Sequence, residues 1–263
     1  MECKICKNPT EKKFEVQILG KYKISYFQCQ KCFFVQTESP YWLSEAYKDS
    51  INITDTGIIS RNITTSEFTA LIIYLYFNRN STFLDYAGGY GIFTRLMRDI
   101  GFDFYWNDLY SQNLLARGFE FNTNKDKKIE LITSFESFEH FENPLKEIEL
   151  MLSISKNIFF STVIIQEQLP SPEVWDYYGL DHGQHIALYS LKSLEYIAKK
   201  HKLCFYTNNK NLHIFSEKKL PYFNFKLLYR LRRFGFMKLI KRMIRNRVAS
   251  DQLLLKQKNE SSS

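Results

Sequence analysis

The sequence predicts an α/β protein in which a mainly parallel sheet is covered by helices. Apolar runs of strand length alternate with helix-like segments between residues 81 and 217. This alternation is typical of parallel sheets, because each crossover between parallel strands is usually a helix. Two CxxC motifs precede this region and a basic segment follows it. We therefore predict a metal-binding module at 1–36, an aromatic lid with connecting helices at 37–80, a core at 81–217 and a basic helical tail at 218–263.

The N-terminal module is predicted to carry two short strands, Phe14–Leu19 and Lys23–Phe27, beside clustered cysteines. Four of the five cysteines of the chain are in it: Cys3, Cys6, Cys29 and Cys32. Two close pairs of thiols suit a tetrahedral zinc site with four thiolate ligands, which has no open position and is structural. A redox pair is the alternative, although no thioredoxin-like βαβ unit surrounds either motif. The sequence thus predicts structural zinc.

The connecting region begins with an aromatic segment, Tyr41–Tyr47, which is predicted to be a short helix or a lid. Its rings can cover a ligand pocket, with Tyr47 as the candidate contact, or pack the cysteine module onto the core. The sequence leaves both interpretations open. A longer apolar helix is predicted over Ser66–Phe77, with a hydroxyl side chain at 64–66 as its N-cap.

The core is predicted to alternate strands with helices. The strands are Phe83–Tyr86, Phe102–Trp106, Ile129–Thr133 and Asn157–Val163, followed by a last pair at Leu203–Tyr206 and Leu212–Phe215. The helices are Ile92–Ile100, Ser111–Gly118, Pro144–Ser153 and Leu191–His201. Because only a short Asn-rich turn separates the last two strands, we expect them to form an antiparallel hairpin.

A glycine-rich turn at the end of the first core strand is the clearest ligand-binding signal. The apolar run ends at Asp85 and passes into Ala87–Gly91, after which a helix is predicted. A strand, a tight turn and a helix N-terminus in this order allow backbone to approach a nucleotide-like ligand closely. Asp108 lies 20 residues beyond Gly88 and can accept hydrogen bonds from ribose hydroxyls. Nicotinamide cofactors and S-adenosylmethionine both fit this pattern.

A second motif, Phe135-Glu136-Ser137-Phe138-Glu139-His140, distinguishes between these cofactors. Together with the glycine turn it resembles class I S-adenosylmethionine-dependent methyltransferases, in which an acid precedes a Gly-x-Gly-x-Gly turn and the fourth strand often ends in Phe-Glu-x-x-Glu-His. The resemblance covers about residues 80–216, and Ala87 departs from it at the first glycine. It implies a Rossmann-like fold with a mainly parallel seven-stranded sheet. The cofactor-binding residues that it and the turn suggest are Tyr47, Asp85, Ala87, Gly88, Gly89, Gly91, Asp108, Leu109 and Glu136.

A titratable cluster follows the predicted strand Asn157–Val163, in the loop Trp175–Ser190. It contains His182 and His185 together with Tyr178, and these three are the candidate catalytic residues. Active sites of open parallel sheets lie in loops beyond the carboxyl ends of the strands, and histidine transfers protons well near neutral pH. A metal pair or a capping cluster is the alternative role for the two histidines.

The four cysteines, the core and the histidine loop together resemble the sugar methyltransferases of deoxysugar and surface-polysaccharide pathways. Their C-methyltransferases carry a Tyr-x-Glu-His-type sequence in this loop, with the histidine as general base. This resemblance implies that His185 is the base, while His182 and Gln184 depart from the motif. The acceptor is then expected to be a nucleotide sugar or a lipid-linked glycan, with O-methylation and C-methylation both open.

Charge is distributed unevenly along the chain. The last 46 residues contain 13 Lys/Arg and 2 Asp/Glu, whereas the first 217 contain 23 and 26. The body is therefore slightly acidic, which argues against nucleic acid as its partner and against the rival function of RNA modification. The basic tail is interleaved with apolar residues and can contact an anionic membrane surface or a glycosyltransferase partner.

The same sequence features predict the location of the protein. No secretory signal or membrane-spanning run is evident, so we expect a cytoplasmic protein, peripheral at the inner face of the membrane. The last residues, 260–263, are expected to be disordered. A non-catalytic scaffold for a glycosyltransferase is the second rival function.

Overall fold

The computed structural model describes residues 1–48, 53, 55–122 and 128–260. Its residues form two compact units, each built from two stretches of the chain. The first unit comprises Met1–Asn52 and Ser134–Lys219, and the second comprises Ile53–Thr133 and Leu220–Ser263.

The first unit holds the cysteine module, the histidine loop and the last strands of the core. Its strands are β1 (Thr10–Ile18), β2 (Tyr22–Cys29), β3 (Val35–Thr37), β7 (Ile158–Ser161), β8 (Ala187–Leu188), β9 (Cys204–Thr207) and β10 (Leu212–Ser216). Its helices are α1 (Leu43–Ala46), α4 (Pro144–Ile154) and α5 (Leu191–Lys200). The two strands predicted for the cysteine module are confirmed as β1 and β2, and both are longer than predicted.

The second unit holds the glycine turn and the basic tail. Its strands are β4 (Thr82–Tyr86), β5 (Asp103–Asn107) and β6 (Ile129–Ser134), whose last residue belongs to the first unit. Its helices are α2 (Ile58–Tyr76), α3 (Ile92–Ile100), α6 (Phe225–Arg233), α7 (Phe236–Met243) and α8 (Val248–Glu260). The helix predicted from Ser66 begins earlier, at Ile58, after Gly57, and no side chain caps it.

Within the described residues, the core sheet is mixed and has six strands, in the order β5-β4-β6-β7-β10-β9. β4 is parallel to β5 and to β6, whereas β10 is antiparallel to β7 and to β9. The predicted hairpin is therefore confirmed, and the prediction of a mainly parallel sheet of seven strands is wrong for the part of the chain that the structure describes. Short hairpin connections impose antiparallel pairing, since a parallel pair needs a crossover.

A second sheet in the first unit was not predicted from the sequence. Its order is β1-β2-β3-β8, with antiparallel pairing throughout, and β8 comes from the histidine loop. Residues of the cysteine module, of the aromatic segment and of the histidine loop share one hydrophobic cluster, which includes Tyr26, Trp42, Tyr178 and Ile186. The aromatic segment thus packs with the cysteine module and this loop, whereas its role as a lid over a ligand pocket stays a prediction.

The predicted helix Ser111–Gly118 is wrong. The structure has bends and turns there, because side chains compete for the backbone N–H groups that a helix would use. Asp108 accepts hydrogen bonds from the backbone of Tyr110 and Ser111, each at 2.7 Å. Asn113 accepts one from the backbone of Ala116 at 2.9 Å.

The tail is helical, as predicted, and its last helix is attached to α3. The buried Asp251 carboxylate of α8 accepts hydrogen bonds from Arg98 at 2.7 and 2.8 Å and from Arg95 at 2.9 Å. No helix of the described residues is long and apolar enough to cross a membrane. The expectation of disorder at 260–263 falls mostly on residues 261–263, which lie outside the described residues.

Candidate active site

The glycine turn of the second unit lies directly against the end of β4. Asp85 is 2% exposed, and its two carboxylate oxygens accept hydrogen bonds from Thr94 at 2.9 Å and Thr133 at 3.2 Å. A Cβ atom at Gly88 would lie 2.7 Å from the Asp85 carboxylate and 2.8 Å from the Trp106 ring. Glycine is therefore required at 88, because only its backbone fits between these groups.

The carboxylate of Asp85 is destabilised by its surroundings. Burial raises its pKa to about 7, although the hydroxyl hydrogen bonds of the two threonines oppose this shift. The nearby charge of Asp108 raises it further. A cation bound near the turn would favour the ionised form of Asp85, as the ammonium of a methionyl group would.

Asp108 holds the turn from the other side. Its carboxylate accepts a hydrogen bond from the backbone N–H of Gly89 at 2.9 Å, and the Trp106 indole donates to the carbonyl of Gly89 at 2.9 Å. Residues 87–90 are nonetheless half-exposed, and a Cβ atom at Gly89 would meet nothing within 4 Å. The turn is thus rigidly held and open to a ligand at Gly89. Leu109, the neighbour of Asp108, is 77% exposed.

A histidine cluster occupies the first unit. The ring of His185 lies 5.1 Å from that of His140 and 4.8 Å from those of His182 and Tyr177, measured between ring centroids. The Nδ1 atom of His185 lies 2.5 Å from the carbonyl oxygen of Tyr177. Because a carbonyl only accepts, Nδ1 carries the hydrogen, and Nε2 keeps its lone pair.

The histidines of this cluster are held in the neutral form. Burial lowers the pKa of His185 to about 4, despite the hydrogen bond from its ring to the Tyr177 carbonyl. Burial, followed by the neighbouring histidines, lowers the pKa of His140 well below its usual value. The pKa of His182 is also lowered by burial. Neutral imidazoles with a free nitrogen can accept a proton or bind a metal ion.

Two acids lie beside this cluster, in the motif that follows β6. Glu139 is 1% exposed, and burial, followed by the charge of Glu136, raises its pKa to about 8. Glu136 is exposed and has a left-handed backbone with φ of 51°. The Ser161 hydroxyl donates to its carboxylate at 2.6 Å and accepts from its backbone N–H at 2.7 Å. This pairing fixes the unusual backbone of Glu136.

Two of the sequence-predicted residues lie elsewhere than the sequence suggested. The hydroxyl of Tyr47 lies 3.0 Å from Nδ1 of His140, so this side chain belongs to the histidine cluster. Tyr178 is fully buried in the hydrophobic cluster, and its hydroxyl donates to the Pro170 carbonyl at 3.0 Å. Its neighbour Tyr177 is the tyrosine that contacts His185. The roles of Tyr47 in cofactor binding and of Tyr178 in catalysis stay predictions.

Sequence reasoning missed His140, Tyr177 and Glu139 as site residues. In the sequence, the motif around Glu139 and His140 distinguishes only between the two cofactors. Both residues directly follow a core strand, the position at which site residues of open sheets concentrate. This position was the signal that could have identified them.

The four cysteines converge within the first unit, and all are buried. Their Sγ atoms lie within 4.8 Å of one another, at 3.6 Å for Cys3 and Cys32 and 3.4 Å for Cys6 and Cys29. Zinc–sulfur bonds of about 2.3 Å put tetrahedral sulfur ligands about 3.8 Å apart, close to these distances. Backbone N–H groups also point at Sγ of Cys3 and Cys29, at 3.4–3.5 Å. The residues present therefore fit a structural zinc ion.

A comparison with models of protein families gives a match for this chain. Residues 62–203, more than half of the chain, match the family model described as "Methyltransferase domain". A comparison with curated protein sequences gives no match.

Three solved structures illustrate the similarity at the level of structure. The magnesium protoporphyrin IX methyltransferase ChlM from Synechocystis PCC 6803, with bound SAH, has 13% identity and a TM-score of 0.44 over 66% of this chain and 92% of that chain. An O-methyltransferase family protein from Burkholderia thailandensis has 14% identity and a TM-score of 0.48, over 69% of this chain and 64% of that chain. The plantazolicin methyltransferase BpumL, in complex with SAH, has 14% identity and a TM-score of 0.47, over 78% of this chain and 85% of that chain.

Proposed function

Because this chain belongs to the methyltransferase-domain family and is an S-adenosylmethionine-dependent methyltransferase, we propose that it methylates a sugar with a histidine as general base. S-adenosylmethionine supplies the electrophilic methyl group when it is bound. The glycine turn, Asp85 and Asp108 are the residues that would hold it. The acceptor class is a nucleotide sugar or a lipid-linked glycan of surface-polysaccharide or deoxysugar biosynthesis, as the resemblance of the histidine loop implies.

The fixed tautomer of His185 is the observation that carries this proposal. Its Nδ1–H is held by the Tyr177 carbonyl, so Nε2 is the nitrogen that accepts the acceptor's proton. The imidazolium that forms is stabilised by the same hydrogen bond. The ring of His140 lies edge-to-face against that of His185, at an interplanar angle of 88°, and thereby limits its rotation. His182 and Tyr47 then line the same cluster as further polar contacts for a hydroxylated acceptor.

The test is methyl transfer from labelled S-adenosylmethionine to a panel of nucleotide sugars, followed by mass spectrometry. We expect His185→Ala to fold and to bind the cofactor but to lose transfer by about 10²-fold or more, the usual contribution of a general base. His201→Ala, which alters a histidine directly after α5 and outside the cluster, is the matched control and keeps its rate. Full activity of His185→Ala would remove this residue from the mechanism.

Oxygen and carbon acceptors can be told apart by the proton that His185 removes. A keto-sugar incubated in D₂O without the methyl donor gains deuterium at its α-carbon if the base acts on carbon. A simple hydroxyl acceptor shows no such wash-in. Methylation of RNA, with no sugar in the panel modified, would favour the rival RNA-modifying function.

The four cysteines support a second part of the proposal, a structural zinc ion. Such an ion fixes the module from which β1, β2 and β3 extend, and it takes no part in methyl transfer because four thiolates leave no open position. For the tail we propose peripheral contact with an anionic membrane surface at the cytoplasmic face. The tail offers exposed cations beside exposed apolar side chains, among them Phe234 at 83%, Met243 at 54% and Leu239 at 45% exposure.

A further inference from the structure

A second group of metal-binding side chains stands apart from the four cysteines. Glu139, His140 and His185 each offer one ligand atom, and these atoms lie within 4.8 Å of one another. Glu139 and His140 are adjacent in the turn after β6, and His185 lies in the loop before β8. Two neutral imidazoles and a carboxylate are a donor set that borderline divalent cations prefer.

The two histidines are already oriented as metal ligands are. Nδ1 of His185 donates to the Tyr177 carbonyl, and Nδ1 of His140 pairs with the Tyr47 hydroxyl at 3.0 Å. Metal-bound histidines generally use one ring nitrogen for such a hydrogen bond, which fixes the ring and directs the other nitrogen to the ion. In both rings Nε2 is that other nitrogen.

The carboxyl of Glu139 supplies an independent observation. Its Oε2 atom is fully buried and has no hydrogen-bond partner among the described residues. The strongest charge acting on this carboxyl is that of another acid, Glu136. A buried carboxyl oxygen without a partner is costly, and a cation at this place would satisfy it.

We propose that Glu139, His140 and His185 bind one divalent transition-metal cation, with zinc as the best fit, and that the bound cation inhibits methyl transfer. Bonds of about 2.1 Å put the ligand atoms of such an ion roughly 3.0–3.4 Å apart, so binding draws the three side chains together. One hard carboxylate donor and two imidazoles distinguish this site from the four-thiolate site. Three ligands leave a position for water.

Inhibition follows from the lone pair of His185. Nε2 cannot bind a cation and accept a proton from the acceptor at the same time. Filling the site therefore removes the general base, and removal of the cation by a chelator restores it. This consequence rests on the proposed function, whereas binding of the cation does not.

The experiment titrates full-length protein, reconstituted with one equivalent of zinc, with Co²⁺ and records the optical spectrum. We expect one further equivalent of metal, with cobalt d–d bands and without the intense thiolate-to-cobalt charge-transfer band of a cysteine site. Glu139→Gln and His185→Ala should each weaken this binding by tenfold or more. His201→Ala, outside the cluster, should bind as the native protein does.

Three outcomes would overturn the proposal. The site is ruled out if the native protein binds no second equivalent of metal. It is also ruled out if Glu139→Gln and His185→Ala, with circular dichroism like that of the native protein, bind the metal as well as the native protein does. A transfer rate that is unchanged or raised when the second equivalent is bound rules out inhibition. If no acceptor is methylated, the proposed function fails, but the binding of cobalt can still be measured from the optical spectrum. Failure of the proposed function is therefore distinguishable from failure of the proposed metal site.

Discussion

Ala87 takes a left-handed backbone conformation, with φ of 56°, at the position where the resembling family carries glycine. An L-residue pays about 1–2 kcal/mol for this conformation. The neighbouring glycines show why the turn imposes it, since Gly88 has no room for a side chain and Gly89 and Gly91 also have positive φ. Close packing against Asp85 and Trp106 thus determines the backbone conformation of the turn. Ala87 adopts the positive φ that this conformation requires, which lowers the stability of the protein.

Gly89 offers the sharpest test of the cofactor site. We expect Gly89→Ala to lose about 1 kcal/mol of stability through its positive φ, because nothing lies within 4 Å of the added methyl group. Binding of S-adenosylmethionine should weaken by about tenfold or more, since the methyl group occupies the space where backbone approaches the ligand. Thermal unfolding and calorimetry measure the two effects.

The control is Gly235→Ala. Gly235 also has a positive φ and nothing within 4 Å of an added Cβ, but it precedes α7. It should show the same loss of stability with native cofactor affinity. Equal affinities of the two variants would show that Gly89 does not face the cofactor.

Because the pKa of Asp85 is raised, we expect cofactor binding to depend on pH. Its pKa is raised to about 7, so below that pH the free protein holds it protonated, and binding of a cationic ligand must release the proton. Affinity should therefore fall, by up to about tenfold per pH unit, as pH drops below 7, and should level off above it.

Calorimetry in buffers of different ionisation enthalpy counts the released proton. Asp85→Asn, which resembles the protonated side chain in shape, should keep the stability of the free protein at pH 6 and lose the pH dependence. A pH-independent affinity of the native protein would contradict a role for Asp85 in binding the cofactor.

At the scale of elements, sequence patterns predicted those parts whose signals are local. β4, β5 and β6 followed from apolar runs, and α3 from its position after the glycine turn. The missed β3 and β8 are three and two residues long and pair across distant parts of the chain, which no local pattern encodes. The helix predicted at Ser111 failed because Asp108 and Asn113 bind the nearby backbone.

The residues of the candidate site also differ in whether local sequence predicts them. Spacing in the sequence predicted that Asp108 and the glycine turn belong together, and Asp108 does accept a hydrogen bond from Gly89. His140 was overlooked because its role depends on Tyr47 and His185, residues that only the fold brings to it.

We expect the helix α7 to contact an anionic membrane surface. Lys238, Lys241 and Arg242 are exposed on it, and each cation near an anionic surface contributes about 1 kcal/mol. Replacing all three with glutamate should lower the affinity for vesicles containing anionic lipid by 100-fold or more. Co-sedimentation with anionic and with neutral vesicles, at low and high salt, provides the measurement.

The matched control reverses the same number of exposed lysines elsewhere, at Lys192, Lys199 and Lys210. It should bind anionic vesicles far better than the α7 variant does. Equal loss in both variants would indicate a net-charge effect, and binding to neither type of vesicle by the native protein would exclude the membrane surface.

At the scale of the whole molecule, the cysteine site is expected to control more than its own module. Cluster members on β1, β2 and the aromatic segment pack with Tyr178 and Ile186 of the histidine loop. The free energy of zinc binding contributes to the free energy of folding, so removal of structural zinc destabilises the module. We therefore expect Cys3→Ser with Cys6→Ser to lose methyl transfer and most of the stability of the first unit, while the second unit keeps its cofactor affinity.

Thermal unfolding, zinc content and calorimetry with S-adenosylmethionine measure these effects. Cys204→Ser, at the fifth cysteine, is the control and should retain zinc and activity. Native stability after complete loss of zinc would show that the metal is dispensable.

The pairing of β3 with β8 also has a consequence for synthesis of the chain. Val35 pairs with Leu188, so the last strand of the N-terminal sheet emerges from the ribosome about 150 residues after the first three. At roughly 5–20 residues per second, this delay is about 8–30 s. During that interval β3 presents an unpaired edge, at which nascent chains are prone to associate. A metal ion captured early by the cysteines would hold the hairpin of β1 and β2 together until its partner strand arrives.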